Sequence, residues 1–286
     1  MKLMRIGQRG HERPAVVADD GTVRDVSSLV PDFDPAFFAN GGLSRLAGAA
    51  ARTDLRRISL DGERIGAPIA QPTKIVCIGL NYVAHADESR IAPPEEPPVF
   101  FKAPDCMVGP NDDVLLPIGG EKTDWEVELA VVMGAPARYL PDEDSARQVI
   151  AGYAISNDVS ERAFQLERGG QWVKGKSCET FNPFGPVLVT SDEIEDVQSL
   201  DLSCKVNGET MQHSNTRNMI FGVHHIVWYL SQFMVLQPGD VINTGTPEGV
   251  ALGQDAPRYL AEGDRMKLAI DGLGEQEQLC RRATLP

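Results

Sequence analysis

The chain has 286 residues, with 41 acidic residues against 27 Lys and Arg, which gives a formal charge of −14. Its length, 42% hydrophobic content and 24% charged content are typical of a soluble globular protein with one large domain, or a main domain plus a small one. The acidic excess argues against nucleic acid as a partner, although a local site can still bind a small anion.

The cysteine content and the hydropathy of the sequence indicate the cellular compartment of the protein. The five cysteines are scattered and form no C-x-x-C pair, which indicates reduced thiols. Residues 1–14 contain no apolar signal segment, and no run approaches the roughly 18 apolar residues of a membrane helix. The sequence therefore predicts a cytoplasmic protein that has no membrane contact.

The first 70 residues predict a small β-containing N-terminal domain, followed by a main domain over residues 71–286. Residues 14–26 predict a hairpin that turns at Asp20-Gly21. A short helix is predicted over residues 37–51 and a further strand pair over residues 58–69. Nothing in this segment forms a cluster with chemical character.

A buried strand is predicted at residues 74–79, and it runs into a polar segment that holds His85 and Glu88. Because these two residues are three apart, they share one face of a helical turn, where a carboxylate can orient an imidazole base. A solvated surface pair is the alternative. The four prolines between Ile91 and Pro98 exclude regular structure there, so that stretch is either a flap or a connector.

The stretch from Asp124 to Gly134 has the composition of a strand. Glu126 and Glu128 are two apart and therefore project to the same side, opposite Trp125 and Val127. Two adjacent carboxylates repel unless a cation, a proton or an arginine lies between them, and a hard divalent cation suits oxygen ligands. An exposed edge strand with its polar side chains outward is the alternative.

Further polar residues follow predicted elements. A helix is predicted over residues 142–150, and the strand over residues 152–158 ends at Asp158, which could supply a third carboxylate. A helix over residues 159–166 places Arg162 and Gln165 three apart.

Residues 170–177 match the phosphate-loop pattern G-x-x-x-x-G-K-S letter for letter. We reject a nucleotide site, because no buried strand precedes the pattern and prolines at positions 183 and 186 prevent the helix that should follow. Two interpretations of Lys176 stay open: a functional cation among aromatic residues and prolines, or an ordinary surface lysine.

The last third of the chain predicts a hairpin over residues 201–210 and an amphipathic helix over residues 218–234. A strand that begins at residue 241 then enters a glycine-rich turn, which ends at Gly249. Thr246 and backbone N–H groups in this turn could hold a carboxylate, and a plain tight turn is the alternative. The segment 266–270 is expected to close the sheet.

The order of these fragments resembles the fumarylacetoacetate hydrolase family over roughly residues 72–270. The matching motifs are, in chain order, G-x-N-Y-x-x-H-x-x-E, K-A-P, W-E-x-E-L, N-D, R-x-x-Q, G-K-S and T-G-T-P-x-G. Each is weak alone, but their combination is specific. The resemblance implies a mixed α/β, β-rich fold, namely a mixed β-roll with flanking helices and a small N-terminal domain, and it implies a homodimer.

The resemblance also implies roles for particular residues. The metal ligands for Mg²⁺ or Mn²⁺ would be Glu126, Glu128 and Asp158. His85 and Glu88 would activate water, on a segment that orders over the substrate, and Lys176 would face developing negative charge. The substrate contacts would be Arg162, Gln165, Thr246 and, with a less defined role, Lys102.

The reaction expected from this resemblance is hydrolysis of a C–C bond in a 2,4-dioxo acid with release of pyruvate. A 2,4-diketo-3-deoxy sugar acid of L-rhamnonate or L-fuconate catabolism is the substrate that the whole-chain resemblance favours. Oxaloacetate decarboxylation, or decarboxylation and isomerisation in aromatic catabolism, is the alternative on the same fold. A non-catalytic binding protein is a further alternative, but every expected polar position is filled.

Overall fold

A computed structural model describes residues 1–88 and 92–285 of the chain. Across these residues it forms twenty β-strands, seven α-helices and five single turns of 3₁₀-helix. The strands are β1 (Lys2–Ile6), β2 (Arg13–Val17), β3 (Val23–Asp25), β4 (Arg57–Ile58), β5 (Ile65–Gly66), β6 (Ile75–Ile78), β7 (Val99–Lys102), β8 (Met107–Val108), β9 (Val114–Leu116), β10 (Thr123–Asp124), β11 (Val127–Met133), β12 (Ile150–Asn157), β13 (Ser160–Glu161), β14 (Asn182–Pro183), β15 (Leu188–Thr190), β16 (Asp201–Val206), β17 (Glu209–Asn215), β18 (Val241–Asn243), β19 (Arg265–Ile270) and β20 (Gly274–Arg282). The helices are α1 (Pro35–Ala39), α2 (Gly42–Leu46), α3 (Val83–Glu88), α4 (Glu143–Arg147), α5 (Arg162–Leu166), α6 (Val173–Lys176) and α7 (Val223–Ser231), and the 3₁₀ turns are Ala49–Ala51, Pro104–Cys106, Ser191–Glu193, Thr216–Asn218 and Ala251–Gly253.

Two sheets dominate the molecule. The large sheet has the strand order β4-β3-β2-β1-β15-β12-β11-β18-β6-β7, with β5 also paired to β1. Its strands are antiparallel except for β18 and β6, which run parallel. The second sheet has the order β17-β16-β19-β20-β9, and its last pair is parallel. The predicted mixed α/β, sheet-rich class is confirmed.

The leading residues continue the large sheet. Strand β1 pairs with β2 on one side and with β15 on the other, so the N-terminal hairpin lies edge to edge with the central strands. The predicted hairpin at residues 14–26 is confirmed as β2 and β3, and Gly21 takes a left-handed φ of 79° in its turn. The proposed division after residue 70 stays a prediction.

Three local predictions were wrong. The helix expected over residues 37–51 is broken, because Gly41 and Gly48 adopt φ values of 68° and 76°, which end one short helix before the next begins. The two strands within residues 58–69 do not pair with each other, since β4 pairs with β3 and β5 pairs with β1. Strand β19 lies in the second sheet and does not close the first.

The remaining predicted helices are present in shortened form as α4, α5 and α7, because capping residues and turns fix their ends more narrowly than periodicity does. Residues 92–98 form neither helix nor strand, as the prolines predict, whereas Ile91 lies outside the described residues. Among the helices that the structure describes, none has the length and apolar character needed to cross a membrane.

Strand β11 shows how the sequence places its polar residues. Its alternate residues Val127, Leu129 and Val131 pack into one core cluster. Ala130 and Val132 pack into a second cluster on the other face of the sheet. This period of two predicts that side chains at positions 126 and 128 project to the face of Ala130, away from the Val127 cluster.

Gly152 is a point where the sheet has no space for a side chain. A Cβ atom there would meet the carbonyl oxygen of Val189 on the neighbouring strand β15. We expect Gly152→Ala to lower the free energy of unfolding by about 2–3 kcal/mol, because the strands must separate. Gly263→Ala, which strains only a φ of 90° in open space, should cost about 1 kcal/mol. Urea unfolding measures both, and equal losses would contradict the prediction.

Candidate active site

Three buried carboxylates meet where β11 begins and β12 ends. The two strands are antiparallel with Val127 opposite Asn157, and the Asp158 amide donates to the Glu126 carbonyl at 2.9 Å. One oxygen each from Glu126, Glu128 and Asp158 lies within 4.8 Å of the others. The sequence predicted these three residues as neighbours, and the structure brings them together.

Cations surround two of the three carboxylates. Lys176 Nζ lies 2.7 Å from Glu126 Oε2 and 2.9 Å from Asp158 Oδ2. Lys102 Nζ lies 2.5 Å from the other Asp158 oxygen, and Arg162 Nη2 lies 2.7 Å from Glu126 Oε1 as an ion pair rather than an aligned hydrogen bond. The cluster is therefore partly neutralised from within the chain.

The charged neighbours of Glu126 and Glu128 shift the pKa values of these two carboxyl groups in opposite directions. Burial alone would raise the pKa of Glu126, but the charges of Lys176 and Arg162 overcome it and lower that pKa to about 2. Glu128 has no such partner among the residues that the structure describes, so burial and then the charges of Asp158 and Glu126 raise its pKa well above the ordinary value. Burial opposes the charge of Lys176, yet Asp158 and Glu126 raise its pKa and keep it protonated.

This donor set fits a hard divalent cation. It consists of carboxylate oxygens only, all buried, and Glu128 is held by the Gly245 amide at 2.7 Å without a cation of its own. A positive ion beside Glu128 would offset the repulsion that raises its pKa.

Arg162 is fixed by a residue to which the sequence analysis gave no role. Its Nε lies 2.9 Å from Asp124 Oδ2, and Asp124 also accepts from the Ala251 and Leu252 amides at 2.8 and 3.0 Å. Asp124 therefore ties α5 to the loop that follows the glycine-rich turn. The signal was its place two residues before Glu126, but a strand pattern does not show partners 38 or 127 residues away.

The His85 and Glu88 pair forms as the spacing predicted. Both lie on α3, and His85 Nδ1 is 2.7 Å from Glu88 Oε1. The second oxygen of Glu88 accepts from the Gly249 amide at 2.9 Å, which anchors α3 to the glycine-rich turn. With Nδ1–H donated to a carboxylate, the Nε2 atom of His85 remains as the acceptor.

The glycine-rich turn is held by a second residue that the sequence analysis missed. Gln212 is buried, and it accepts from the Val127 amide at 3.0 Å while it donates to Thr246 Oγ1 at 2.9 Å. The Thr246 hydroxyl in turn donates to the Val127 carbonyl at 3.0 Å. The hydroxyl predicted to bind a substrate carboxylate thus already has two partners inside the protein.

One cavity of about 460 Å³ collects most of the predicted residues. It is lined by eight of the ten predicted site residues, namely His85, Glu88, Glu126, Glu128, Arg162, Gln165, Lys176 and Thr246. Lys102 is not brought to this cavity, because its amino group lies behind the cluster against Asp158 and the Val159 carbonyl. Asp158 does not line the cavity either, although one of its oxygens belongs to the carboxylate cluster.

The rejected phosphate-loop pattern is not a phosphate loop in the structure. Residues 173–176 of the pattern form helix α6, and the element that comes directly before them is helix α5 rather than a strand. The lysine of the pattern points at two carboxylates instead of offering a free cation to an anion.

Comparison with known proteins identifies the family. The family model described as fumarylacetoacetate (FAA) hydrolase C-terminal matches residues 74–280. A Burkholderia multivorans protein named "Putative hydrolase" is 50% identical over 285 residues, which cover 99% of this chain and 100% of that protein.

Two solved structures are similar over their whole length. Maleylpyruvate hydrolase from Sphingobium sp. SYK-6, solved with manganese(II) and pyruvate, is 29% identical with a TM-score of 0.82 and covers 99% of this chain and 100% of its own. A 5-carboxymethyl-2-hydroxymuconate delta-isomerase from Mycobacterium smegmatis is 30% identical with a TM-score of 0.78 and covers 100% of both chains. The motif order that suggested the family is confirmed by these matches, and the sheet-rich fold agrees with them. The chain belongs to the fumarylacetoacetate hydrolase family.

Proposed function

We propose that this chain is a divalent-metal-dependent hydrolase that cleaves the C3–C4 bond of a 2,4-dioxo acid and releases pyruvate. The observation that supports it is the meeting of three elements in one cavity. These are the carboxylate cluster, of which Glu126 and Glu128 line the cavity and Asp158 lies beside them, the Lys176 ammonium, and the base pair of His85 with Glu88. The similar maleylpyruvate hydrolase, solved with manganese(II) and pyruvate, supports the same reaction class for this chain.

In this proposal Glu126, Glu128 and Asp158 would hold Mg²⁺ or Mn²⁺. When bound, the ion would supply Lewis-acid polarisation of the substrate oxygens. The remaining chemistry belongs to side chains of the chain itself.

His85 acts as the general base. Its Nε2 accepts a proton from water, and the hydroxyl adds to the C4 carbonyl carbon. The C3–C4 bond then breaks, so that C4 leaves as a carboxylic acid and the electron pair stays on the pyruvate enolate. Proton return to C3 completes pyruvate. Glu88 orients the imidazole and stabilises its protonated form through the 2.7 Å contact with Nδ1.

Lys176 stabilises negative charge that develops on the enolate, in the manner of an oxyanion hole. It is buried and pre-oriented by Glu126 and Asp158, and its Nζ lies 4.9 Å from the centre of the Phe100 ring. We assign Arg162 and Gln165 as substrate contacts, and the Arg162 Nη1 to Gln165 Oε1 bond of 3.1 Å orients both side chains.

The assay is pyruvate release from purified protein supplied with Mg²⁺ or Mn²⁺. The panel contains acylpyruvates and a 2,4-diketo-3-deoxy acid of the L-rhamnonate type, which is the substrate that the sequence favoured. Metal-dependent pyruvate formation from at least one of them is expected. Absence of pyruvate from all of them would reject the hydrolase proposal.

Decarboxylation or isomerisation is the second candidate, because the Mycobacterium smegmatis isomerase matches the chain over its full length. These reactions pass through the same enolate but need no activated water. If His85→Ala abolishes C–C hydrolysis while oxaloacetate decarboxylation persists, this second reading gains support.

Lys176→Met is expected to separate metal binding from turnover. The change removes a cation that competes for Glu126 and Asp158, so Mn²⁺ should bind at least as tightly as in the native protein. Turnover should fall about 100- to 1,000-fold, because charge stabilisation of the enolate is lost. Calorimetry with MnCl₂ and the pyruvate assay measure the two effects. Unchanged turnover would remove Lys176 from the mechanism.

A homodimer is also proposed, from the family resemblance. Large apolar side chains such as Phe233 and Tyr139 are 65% and 69% exposed and are available for such a contact. Light scattering after size-exclusion chromatography decides between a monomer and a dimer.

A further inference from the structure

The lining of the cavity includes an apolar wall. It is formed by Ile78, Leu80, Phe100, Leu166, Trp172 and Leu252. Phe100 and Trp172 meet edge to face, with ring centres 5.2 Å apart. Trp172 packs closely over Gly79, where a Cβ atom would lie 2.9 Å from its ring. Close packing therefore fixes the positions of the aromatic side chains in the wall.

Leu166 gives the wall an exposed end. It lines the cavity from α5 and is 45% exposed, so a large apolar side chain lies open to solvent at the mouth of the site. An apolar substrate tail would cover this side chain and remove its surface from water.

The charged side chains that line the cavity also disfavour a second substrate carboxylate. Among the described residues of the lining, the basic side chains are His85, Arg162 and Lys176. Arg162 and Lys176 each lie within 3 Å of protein carboxylates, so neither is free for a second substrate anion. Asp255 adds a further negative charge to the lining. A carboxylate at the far end of the substrate would thus lie on an apolar wall near an acid, which is unfavourable.

We propose that the cavity selects 2,4-dioxo acids whose distal acyl group is uncharged and largely apolar, and that it rejects those that end in a second carboxylate. This inference rests on the proposed function for the identity of the reacting end. It assigns Leu166 and Trp172 as the residues that determine specificity at the distal end.

A matched pair of 2-oxo acids tests the wall without requiring turnover. 2-Oxoheptanoate and 2-oxoheptanedioate differ in one terminal methyl or carboxylate, and neither has the 4-oxo group needed for cleavage. With Mn²⁺ present, calorimetry should show the monoacid binding at least about 100-fold more tightly than the diacid. Across shorter monoacids, each methylene removed should weaken binding about fourfold. Equal binding, or tighter binding of the diacid, overturns the proposal.

A charge placed on the wall should shift the preference. Leu166→Arg is expected to strengthen diacid binding about threefold to fivefold and to weaken monoacid binding, because the new cation can pair with the distal carboxylate. Val173→Arg is the matched control, since Val173 is 42% exposed on the adjacent helix and does not line the cavity. Its monoacid-to-diacid ratio should equal that of the native protein. If the two variants have the same monoacid-to-diacid binding ratio, Leu166 does not determine specificity at the distal end of the substrate.

Turnover is measured separately with 2,4-dioxoheptanoate and 2,4-dioxoheptanedioate. Pyruvate release should favour the monoacid by at least about 100-fold in kcat/KM. If neither compound yields pyruvate, the hydrolase proposal loses support while the binding ratio of the uncleavable acids still decides the specificity proposal. If the diacid is cleaved faster, the hydrolase proposal stands and the specificity proposal fails.

Discussion

Replacing Glu128 by glutamine is expected to weaken Mn²⁺ binding by at least about 100-fold, because one of three charged ligands is lost. The metal-free variant should nevertheless be as stable as the native protein or more so. Burial and the charges of Asp158 and Glu126 raise the pKa of Glu128, so its ionised form opposes folding at neutral pH. Glutamine keeps an oxygen for the Gly245 amide and removes that opposing charge.

Calorimetric titration of EDTA-treated protein with MnCl₂ gives the affinity, and urea unfolding with and without the metal gives the stability. In the native protein, Mn²⁺ at about 100 times its Kd should add about 2.7 kcal/mol, and in the variant this gain should disappear. Glu209→Gln is the control, because that acid is exposed at the start of β17. If the Glu128 variant binds Mn²⁺ as the native protein does, the carboxylate cluster is not the metal site.

Replacing His85 by glutamine is expected to lower kcat for C–C hydrolysis by about 100- to 10,000-fold, because the side chain can no longer take a proton from water. Mn²⁺ affinity should stay close to that of the native protein, since His85 contacts Glu88 rather than the carboxylate cluster. Coupled pyruvate assays and calorimetry on one preparation measure both quantities.

The matched control is His213→Gln on β17, where the imidazole is exposed and lies outside the cavity lining. Hydrolysis at the native rate in the His85 variant would show that another group activates water. A joint loss of activity and Mn²⁺ binding would point instead to disruption of the whole site.

Local periodicity was sufficient to predict which site residues lie together when they belong to one element or directly adjoin it. Glu128 lies on β11 and Glu126 directly precedes that strand, so the two-residue period still placed them together, although the strand predicted from Asp124 is interrupted at residues 125–126. His85 and Glu88 follow the three-residue spacing of a helical turn. The order of the motifs then placed Asp158 with them. The family and the sheet-rich class followed from the same features.

Contacts between distant elements could not be predicted in this way. Asp124 and Gln212 each join segments that are tens of residues apart, and neither residue type indicates such a role by itself. Lys102 ends strand β7, and tertiary packing places its amino group against Asp158 rather than in the cavity. The break at Gly41 was missed because a glycine within an apolar helical pattern is ambiguous until its φ is known.

The pairing of β1 with β15 has a consequence for how the chain can be shortened. Leu3 and Phe33 share a core cluster with Ile75 and Val132, so the leading segment and the central strands exclude water from each other. A fragment lacking residues 1–70 would keep every proposed site residue but leave β15 as a bare sheet edge beside an uncovered apolar face. Such edges recruit other chains. The first seventy residues thus shield this edge and this face from unwanted strand pairing, even though they contain none of the proposed site residues.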